Sequence, residues 1–250
     1  MISASSVKTR AFWRRALPAW LKGSLLGAAC ALLLLCFGNF REIIEQSTFD
    51  TLLHLRGIRY PNKAVAVVFV DQATVDHYND WPLPRSAYAT AIRRLTKAGA
   101  KTIAFDILFS AGSNSARDDA DFAAACAQSH RVVQAAVLIV PRPNDDSAMA
   151  TGASYHKLQP RFALADHNAQ CAEANWGTTA EDSLMAGSVG MGHVTTFPEW
   201  DGTFRNIPNI IRYHGRVYPS LALAAAANFL DQRPSQVVAE PGTVLSLIHI

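Results

Sequence analysis

Familiar catalytic and metal-binding motifs are missing from the sequence. The 250 residues contain neither of the zinc-binding spacings CxxC and HExxH. They also contain no glycine-rich phosphate loop and no GxSxG nucleophile elbow. We therefore expect no metal and no cofactor. An enzyme in this chain would have to assemble its site from scattered Asp, Arg and His side chains.

Cysteine is also scarce, since the chain has only four. Cys30 and Cys36 lie in one apolar run, and Cys126 and Cys171 follow it at a distance. In an oxidising compartment the second two can pair or remain as two free thiols, and their spacing does not decide between these outcomes. A fold stapled by several disulfides is excluded.

Clustered positive charge is confined to the beginning of the chain. Five basic residues precede the first acidic residue, Glu42: Lys8, Arg10, Arg14, Arg15 and Lys22. Without them the 23 basic and 20 acidic residues become 18 against 20, and the net charge changes from +3 to −2. Because no basic run follows, nucleic acid is excluded as a partner.

Charge is absent from GSLLGAACALLLLCFG, residues 23–38. Extended to 17–39, this run predicts a transmembrane helix with Trp20 at the interface. The basic flank predicts a cytoplasmic N-terminus over 1–22 and places the rest in the periplasm. No small-x-small site follows, so the pattern favours an uncleaved anchor over a signal peptide or a buried helix of a soluble domain.

Beyond the run, alternating helix and strand patterns predict an α/β fold with a mixed sheet and a parallel βαβ core, preceded by one transmembrane helix. Strand, helix and strand in succession form a right-handed crossover, so the two strands are parallel. The first predicted elements are a stalk helix over 40–60 ended by Tyr60-Pro61-Asn62, a buried strand AVAVVFVD at 64–71 and a helical turn at 73–77. A helix follows from an N-cap at Ser86 through Ala98, with Gly99 as its stop. After it we predict a strand at 101–109, a helix at 118–129 and a strand at 131–140.

The rest of the chain is less regular. We expect a long surface loop from 141 to about 157, a strand in GHVTTF, a hairpin with a His-Gly turn in NIIRYHGRVY, and a core helix in PSLALAAAANFL. The predicted domain covers 61–235 and leaves a tail at 236–250. The last residues, LSLIHI, resemble translated sequencing adapter, which favours a truncated fragment of a longer gene.

Two aspartates are the first candidates for a site. Asp71 and Asp106 follow the two predicted parallel strands, at the edge where open α/β sheets bind ligands. Their carboxylates can bind a cation or act as acid and base. In the structural alternative, one caps the next turn and the other pairs with an arginine such as Arg85.

The segment WPLPR, 81–85, predicts a stiff turn before a helix. Pro82 and Pro84 fix their own φ angles and hold Trp81 in extended geometry. Arg85 then lies close to the strand ends, where its guanidinium can bind Asp71, Asp106 or a ligand.

Two further groups complete the candidates. Asp201 and Arg205 flank a turn at Gly202, where a positive φ is expected, and such a pair is more often structural than functional. His193 lies on a predicted strand and is the one histidine considered for chemistry, although a lone histidine there is usually structural.

These segments in order resemble the type-2 CHASE family, the extracellular sensing domains attached to cyclases and histidine kinases. The resemblance covers about 45–230 and is carried by the strand ending in Asp71, WPLPR where the family tends to show W-P-W-P-R, GAKTIAFDILFS, DDADFAAACA, GHVTTFPEWDGTFRNIP and YPSLALAAAA. Leu83 departs from the family at the second tryptophan.

The resemblance implies a periplasmic sensor of a bacterial inner-membrane receptor, expected to be a homodimer. It would feed a cytoplasmic cyclase or kinase that this chain lacks, so the segment itself is not expected to be an enzyme. An unknown small molecule or ion is the expected ligand, with Asp71, Arg85, Asp106, Asp201 and Arg205 as candidate contacts. The alternatives are a membrane-tethered hydrolase using Asp71, Asp106 and His193, and a ligand-free structural protein of the envelope.

Overall fold

The computed structural model describes residues 18–36, 38–59, 63–141, 158–199, 201–241 and 243–247. The chain divides into two compact units, Met1–Phe69 and Val70–Ile250. The expected surface loop at 142–157 lies outside the described residues.

The described residues of the first unit form two helices. Helix α1 is Ala19–Cys36 and helix α2 is Gly38–Arg56. The predicted helical segment after the apolar run is thus present, and its expected stop at 60–62 falls outside the described ranges. Within those ranges no helix is both long enough and apolar enough to cross a bilayer, so the membrane span predicted over 17–39 is not found there.

The strand predicted at 64–71 is wrong. No strand is assigned there, and Val67 and Phe69 are 69% and 79% exposed. A run of apolar, β-branched residues has a high propensity for a buried strand. Whether it forms one depends on a neighbouring strand to pair with, which the run itself does not specify. The βαβ unit expected to begin with this strand is therefore absent.

In the second unit, three of the five described helices begin at a residue whose side chain caps the helix. The helices are α3 Gln72–Tyr78, α4 Arg85–Lys97, α5 Ala116–Ser129, α6 Asp182–Gly187 and α7 Leu221–Phe229. Ser115 and Ser220 cap α5 and α7 through their hydroxyls. Ser86 does not cap α4 as predicted, because the N-cap is Pro84, two residues earlier, and Ser86 already lies inside the helix. Gly99 follows its end with φ +89°, as expected for the stop.

The strands of the described ranges form three sheets, and all except β2 have five residues or fewer. They are β1 Ile103–Ala104, β2 Val132–Ile139, β3 Ala165–Asp166, β4 Glu173–Ala174, β5 Trp176–Thr179, β6 Gly190–His193, β7 Ile210–Tyr213, β8 Arg216–Pro219, β9 Val237–Glu240 and β10 Thr243–Leu247, with 3₁₀ turns at Pro160–Phe162 and Pro234–Gln236. The sheets are β1-β2-β5 with β6 also on β2, β10-β9-β3, and β4-β7-β8.

Strand β2 is the centre of the main sheet. β1 and β6 run parallel to it on opposite sides, with Ala104 and Gly190 both opposite Val133. β1, α5 and β2 form the parallel crossover expected from the second strand-helix-strand repeat. The predicted strand at 101–109 is reduced to two residues because β5 pairs antiparallel with the second half of β2 on the side that β1 leaves. The fold is mixed α/β, with mixed sheets that include parallel pairs.

The hairpin predicted in NIIRYHGRVY is confirmed. β7 and β8 pair antiparallel, with Ile211 opposite Tyr218. The turn residues His214 and Gly215 have φ +48° and +70°. Two positive φ angles are what a two-residue turn of the favoured hairpin type requires, and glycine adopts the second without a steric cost.

Helices cover both faces of the main sheet. On one face α4, α5 and α6 enclose an aromatic cluster of Tyr88, Phe105, Phe109 and Phe122, whose ring centroids lie 5.0–6.1 Å apart. On the other face α7 packs with Val217 and Val237 in a second cluster. PSLALAAAANFL is thus a core helix, as predicted.

The start of α7 lies almost directly on β6. A Cβ added at Gly192 would lie 2.5 Å from both the Ser220 carbonyl oxygen and the Leu221 Cα, which are backbone atoms that cannot rotate away. Only glycine therefore fits at position 192, because any side chain would overlap these backbone atoms.

We expect Gly192→Ala to lower the free energy of unfolding by about 3 kcal/mol, because the helix must move off the sheet. Urea unfolding followed by circular dichroism measures the loss. Gly190→Ala is the matched control on the same strand, since its Cβ would meet only the Val133 side chain, at 3.2 Å. Equal losses for the two variants would contradict the close contact.

Candidate functional site

Asp71 is a helix cap. Its Oδ1 accepts hydrogen bonds from the backbone N–H of Thr74 at 2.9 Å and from the Thr74 hydroxyl at 2.6 Å. The hydroxyl contact, followed by the N–H, lowers the pKa of the exposed Asp71 carboxyl. The capping alternative considered for this residue is the one observed, while its role in ligand binding stays a prediction.

Arg85 binds a carboxylate that the sequence did not indicate. The residue is only 9% exposed, and its Nε lies 3.5 Å from Oδ1 of Asp119. Its Nη2 donates to the Ala111 carbonyl at 2.7 Å, and its guanidinium lies 4.4 Å from the centroid of the Phe109 ring. Both polar and aromatic contacts hold the side chain in place.

The preceding turn presents Arg85 to these partners. The Trp81–Pro82 peptide bond is cis, and Leu83 is buried while Trp81 is 64% exposed. Pro84 occupies the N-cap position of α4 with an extended backbone. The two prolines thus place one apolar side chain in the core and the arginine directly after it.

Asp119 also fixes the loop before its own helix. Its Oδ2 accepts the backbone N–H of Ser113 at 2.9 Å. One residue earlier, Asp118 accepts a hydrogen bond from the Ser86 hydroxyl at 3.2 Å. The first turns of α4 and α5 are therefore joined at two points. The acids at the start of α5 are the sequence signal that could have indicated these contacts, because two helices that begin at the same sheet edge bring their first turns together.

Asp106 is exposed and makes no hydrogen bond or ion pair with any described residue. It follows β1 by two residues, so it does lie at the carboxyl edge of the sheet. The described residues show no hydrogen bond between Asp106 and Asp71, and neither pairs with Arg85. A ligand role for Asp106 stays a prediction.

Asp201 and Arg205 form a structural pair across their turn. Arg205 Nη2 lies 2.8 Å from Asp201 Oδ2, and its Nη1 lies 2.8 Å from Glu199 Oε2. Arg205, followed by the Thr203 N–H, lowers the pKa of Asp201 to about 2. Gly202 has φ +78°, the positive value expected. The pair holds the loop, and whether it also contacts a ligand is not shown.

His193 is enclosed in the core. It is 1% exposed, neither ring nitrogen has a hydrogen-bond partner, and the Oε1 of the nearby buried Gln134 also lacks one. Burial lowers the pKa of His193 to about 4. No described hydrogen bond links it to Asp71 or Asp106, and a general base must reach a substrate. The arrangement gives the hydrolase alternative no support.

Cys126 and Cys171, the pair considered for a disulfide, are free thiols. Cys126 is buried and Cys171 is half-buried, and they are not joined by a disulfide. Burial raises the pKa of the Cys126 thiol to about 12, so it stays protonated and unreactive at neutral pH. Among the described residues, no group of three or more His, Cys, Asp or Glu side chains is arranged to hold a metal ion.

Two adjoining cavities lie at the opposite edge of the sheet, where β2 and β6 begin. The larger, about 430 Å³, is lined by Arg161, Arg233 and His130 among others, and the smaller, about 250 Å³, is lined mainly by apolar side chains. Val189 lines both. Sequence reasoning missed this site, because isolated basic residues in irregular segments form no motif.

Comparison with protein-family models gives a match to the CHASE2 domain over residues 26–248. No curated protein and no solved structure matches the chain.

We expect Arg85→Met to lower the free energy of unfolding by about 3 kcal/mol, because Asp119 would keep a largely buried charge without its partner. Arg93→Met is the matched control: Arg93 lies on the same helix and pairs with Asp121 on α5, but both side chains are exposed. That variant should lose little, since exposed ion pairs contribute little. Chemical denaturation measures both, and similar losses would contradict a special role for Arg85.

Stability should also fall on acidification because of His193. The unfolded histidine takes up a proton near pH 6.5 while the folded one resists until about pH 4. The unfolded state thus binds more protons between these values. The contribution of the neutral His193 to the free energy of unfolding is therefore complete above pH 6.5. It falls by on the order of 3 kcal/mol as the pH decreases towards 4.

Denaturation midpoints measured from pH 7 to 4 test this, with the slope as the readout. His193→Leu should flatten the slope whatever its effect at pH 7. His77→Gln, which replaces an exposed histidine, should leave the slope unchanged. An unchanged slope in His193→Leu would show that other groups cause the acid sensitivity.

Proposed function

The chain belongs to the CHASE2 family of extracellular sensory domains, and we propose on that premise that it is the ligand-binding input region of a bacterial signalling receptor. The observation that carries the proposal is the family match, which covers 26–248 and so includes most of both units. In this proposal a small molecule or ion binds outside the cytoplasm, where CHASE2 domains are typically found. Binding then alters the activity of a cyclase or kinase output domain, with the receptor acting as a membrane-bound homodimer.

The contacts of the second unit support a role in binding over one in chemistry. Its buried histidine is closed to substrates, and its best-defined charged groups, Arg85 with Asp119 and Arg205 with Asp201, hold loops in place. A scaffold fixed in this way can bind a ligand at little cost in conformational entropy. Asp106, which follows β1, and Asp71, which caps α3, remain candidate contacts.

A thermal-unfolding screen of the purified 250-residue chain tests the sensory role. The panel contains sugars, amino acids, organic acids, phosphate esters and divalent cations. We expect at least one compound to raise the unfolding midpoint in a saturable way, because a ligand at 100 times its Kd stabilises by about 2.7 kcal/mol.

Two variants locate the site of any hit. Asp106→Asn tests the carboxyl edge, and Asp80→Asn, another exposed aspartate, is its matched control. A panel without any stabilising compound would favour the ligand-free structural alternative. Turnover of a compound that stops in Asp106→Asn would favour the hydrolase.

A further inference from the structure

The larger cavity, here called the basic groove, is built by segments that meet where β2 and β6 begin. Arg161 and Phe162 come from one 3₁₀ turn and Arg233 precedes the other, while His130 and Ser188 follow α5 and α6. The helix ends are packed tightly: a Cβ at Gly187 would lie 2.8 Å from the backbone nitrogen of Ala127. A volume of about 430 Å³ lies within the range of small-molecule sites.

Two arginines, Arg161 and Arg233, carry the charge of the groove lining. No Asp or Glu is among the described residues that line it. A concave surface lined with one sign of charge concentrates ligands of the opposite sign. The chemistry therefore selects an anion.

Arg161 and Arg233 differ in how firmly they are held. Arg161 Nη2 donates to the carbonyls of Met185, Ala186 and Ser188 at the end of α6, and its guanidinium lies 4.4 Å from the Phe162 ring centroid. Arg233 is exposed, and no carboxylate among the described residues pairs with it. One arginine is thus a fixed wall of the groove, and the charge of the other is available to a ligand.

The smaller cavity supplies an apolar extension. It shares Val189, Arg233 and Pro234 with the basic groove, and it is lined further by Met191 and Leu223. Its one acidic residue, Asp231, is already paired with Lys101 at 2.7 Å. A ligand with its anionic group at Arg233 therefore has an apolar space of about 250 Å³ beside it.

We propose that the two cavities together bind a small amphipathic anion, a carboxylate or phosphate monoester with a short apolar body. Its anionic group pairs with Arg233 against the wall formed by Arg161, and its apolar part enters the space between β6 and α7. This names the ligand class of the proposed sensory function and rests on that function for its biological meaning.

Isothermal titration calorimetry of the 250-residue chain with octanoate, octyl phosphate, acetate and 1-octanol tests the proposal. Octanoate or octyl phosphate should bind more tightly than acetate, which lacks the apolar body, and than 1-octanol, which lacks the charge. Arg233→Gln should weaken the binding by about tenfold, as expected for one charged hydrogen-bonding partner. Arg216→Gln removes another exposed arginine outside both cavities and should leave the affinity unchanged.

A third variant tests the apolar part. Ala224→Leu fills the smaller cavity and should weaken octanoate binding, with circular dichroism showing that the fold is kept. Equal octanoate binding by the Arg233→Gln and Arg216→Gln variants, or octanoate binding no better than that of 1-octanol, would overturn the proposal. A panel compound that stabilises wild type and Arg233→Gln equally would leave the sensory function standing with its site elsewhere.

Discussion

The buried contact between Arg85 and Asp119 is the constraint on which the carboxyl edge of the second unit depends. A guanidinium that is almost fully enclosed must have its charge and its donors satisfied, and the aspartate, the Ala111 carbonyl and the Phe109 ring do this together. The same aspartate holds the Ser113 N–H. The first turns of two helices, the loop between β1 and α5, and the aromatic cluster beneath them are therefore fixed by a single side chain.

Much of the helical structure could be predicted because its signals are local. The apolar spacing of 118–129, the small residues of 219–230 and the His-Gly turn each act within a few residues, and each element was found. The strands were less predictable. An apolar run at 64–71 and another at 101–109 look alike in sequence, yet the first is exposed and the second pairs over two residues only.

The candidate site was predicted less well than the fold for a related reason. The sequence indicated that Arg85 needs a carboxylate, and charge alone could not choose among several aspartates brought near by the fold. Asp119 is one of three acids near the start of the predicted helix 118–129, and nothing in the sequence distinguishes it from the other two. Arg161 and Arg233 gave no signal, because the groove they line exists only once irregular segments have packed together.

The two ends of the second unit are therefore unlike each other. At the carboxyl edge, charged side chains satisfy one another and leave little for a ligand, apart from the exposed Asp106. At the amino edge, basic side chains face a cavity. In this sensory domain the carboxyl edge therefore holds the contacts that stabilise the fold, and the amino edge holds the groove proposed to bind a ligand.

Helix α5 joins these two ends. Its 14 residues span about 21 Å, with Asp119 in the first turn and Ala127 near the last. Because Ala127 lies against Gly187 with no room for even a methyl group, the far end of the helix cannot slide without moving α6 as well. Close contacts at both ends of α5 therefore tie the edge that carries the basic groove to the edge that carries the Arg85 contact.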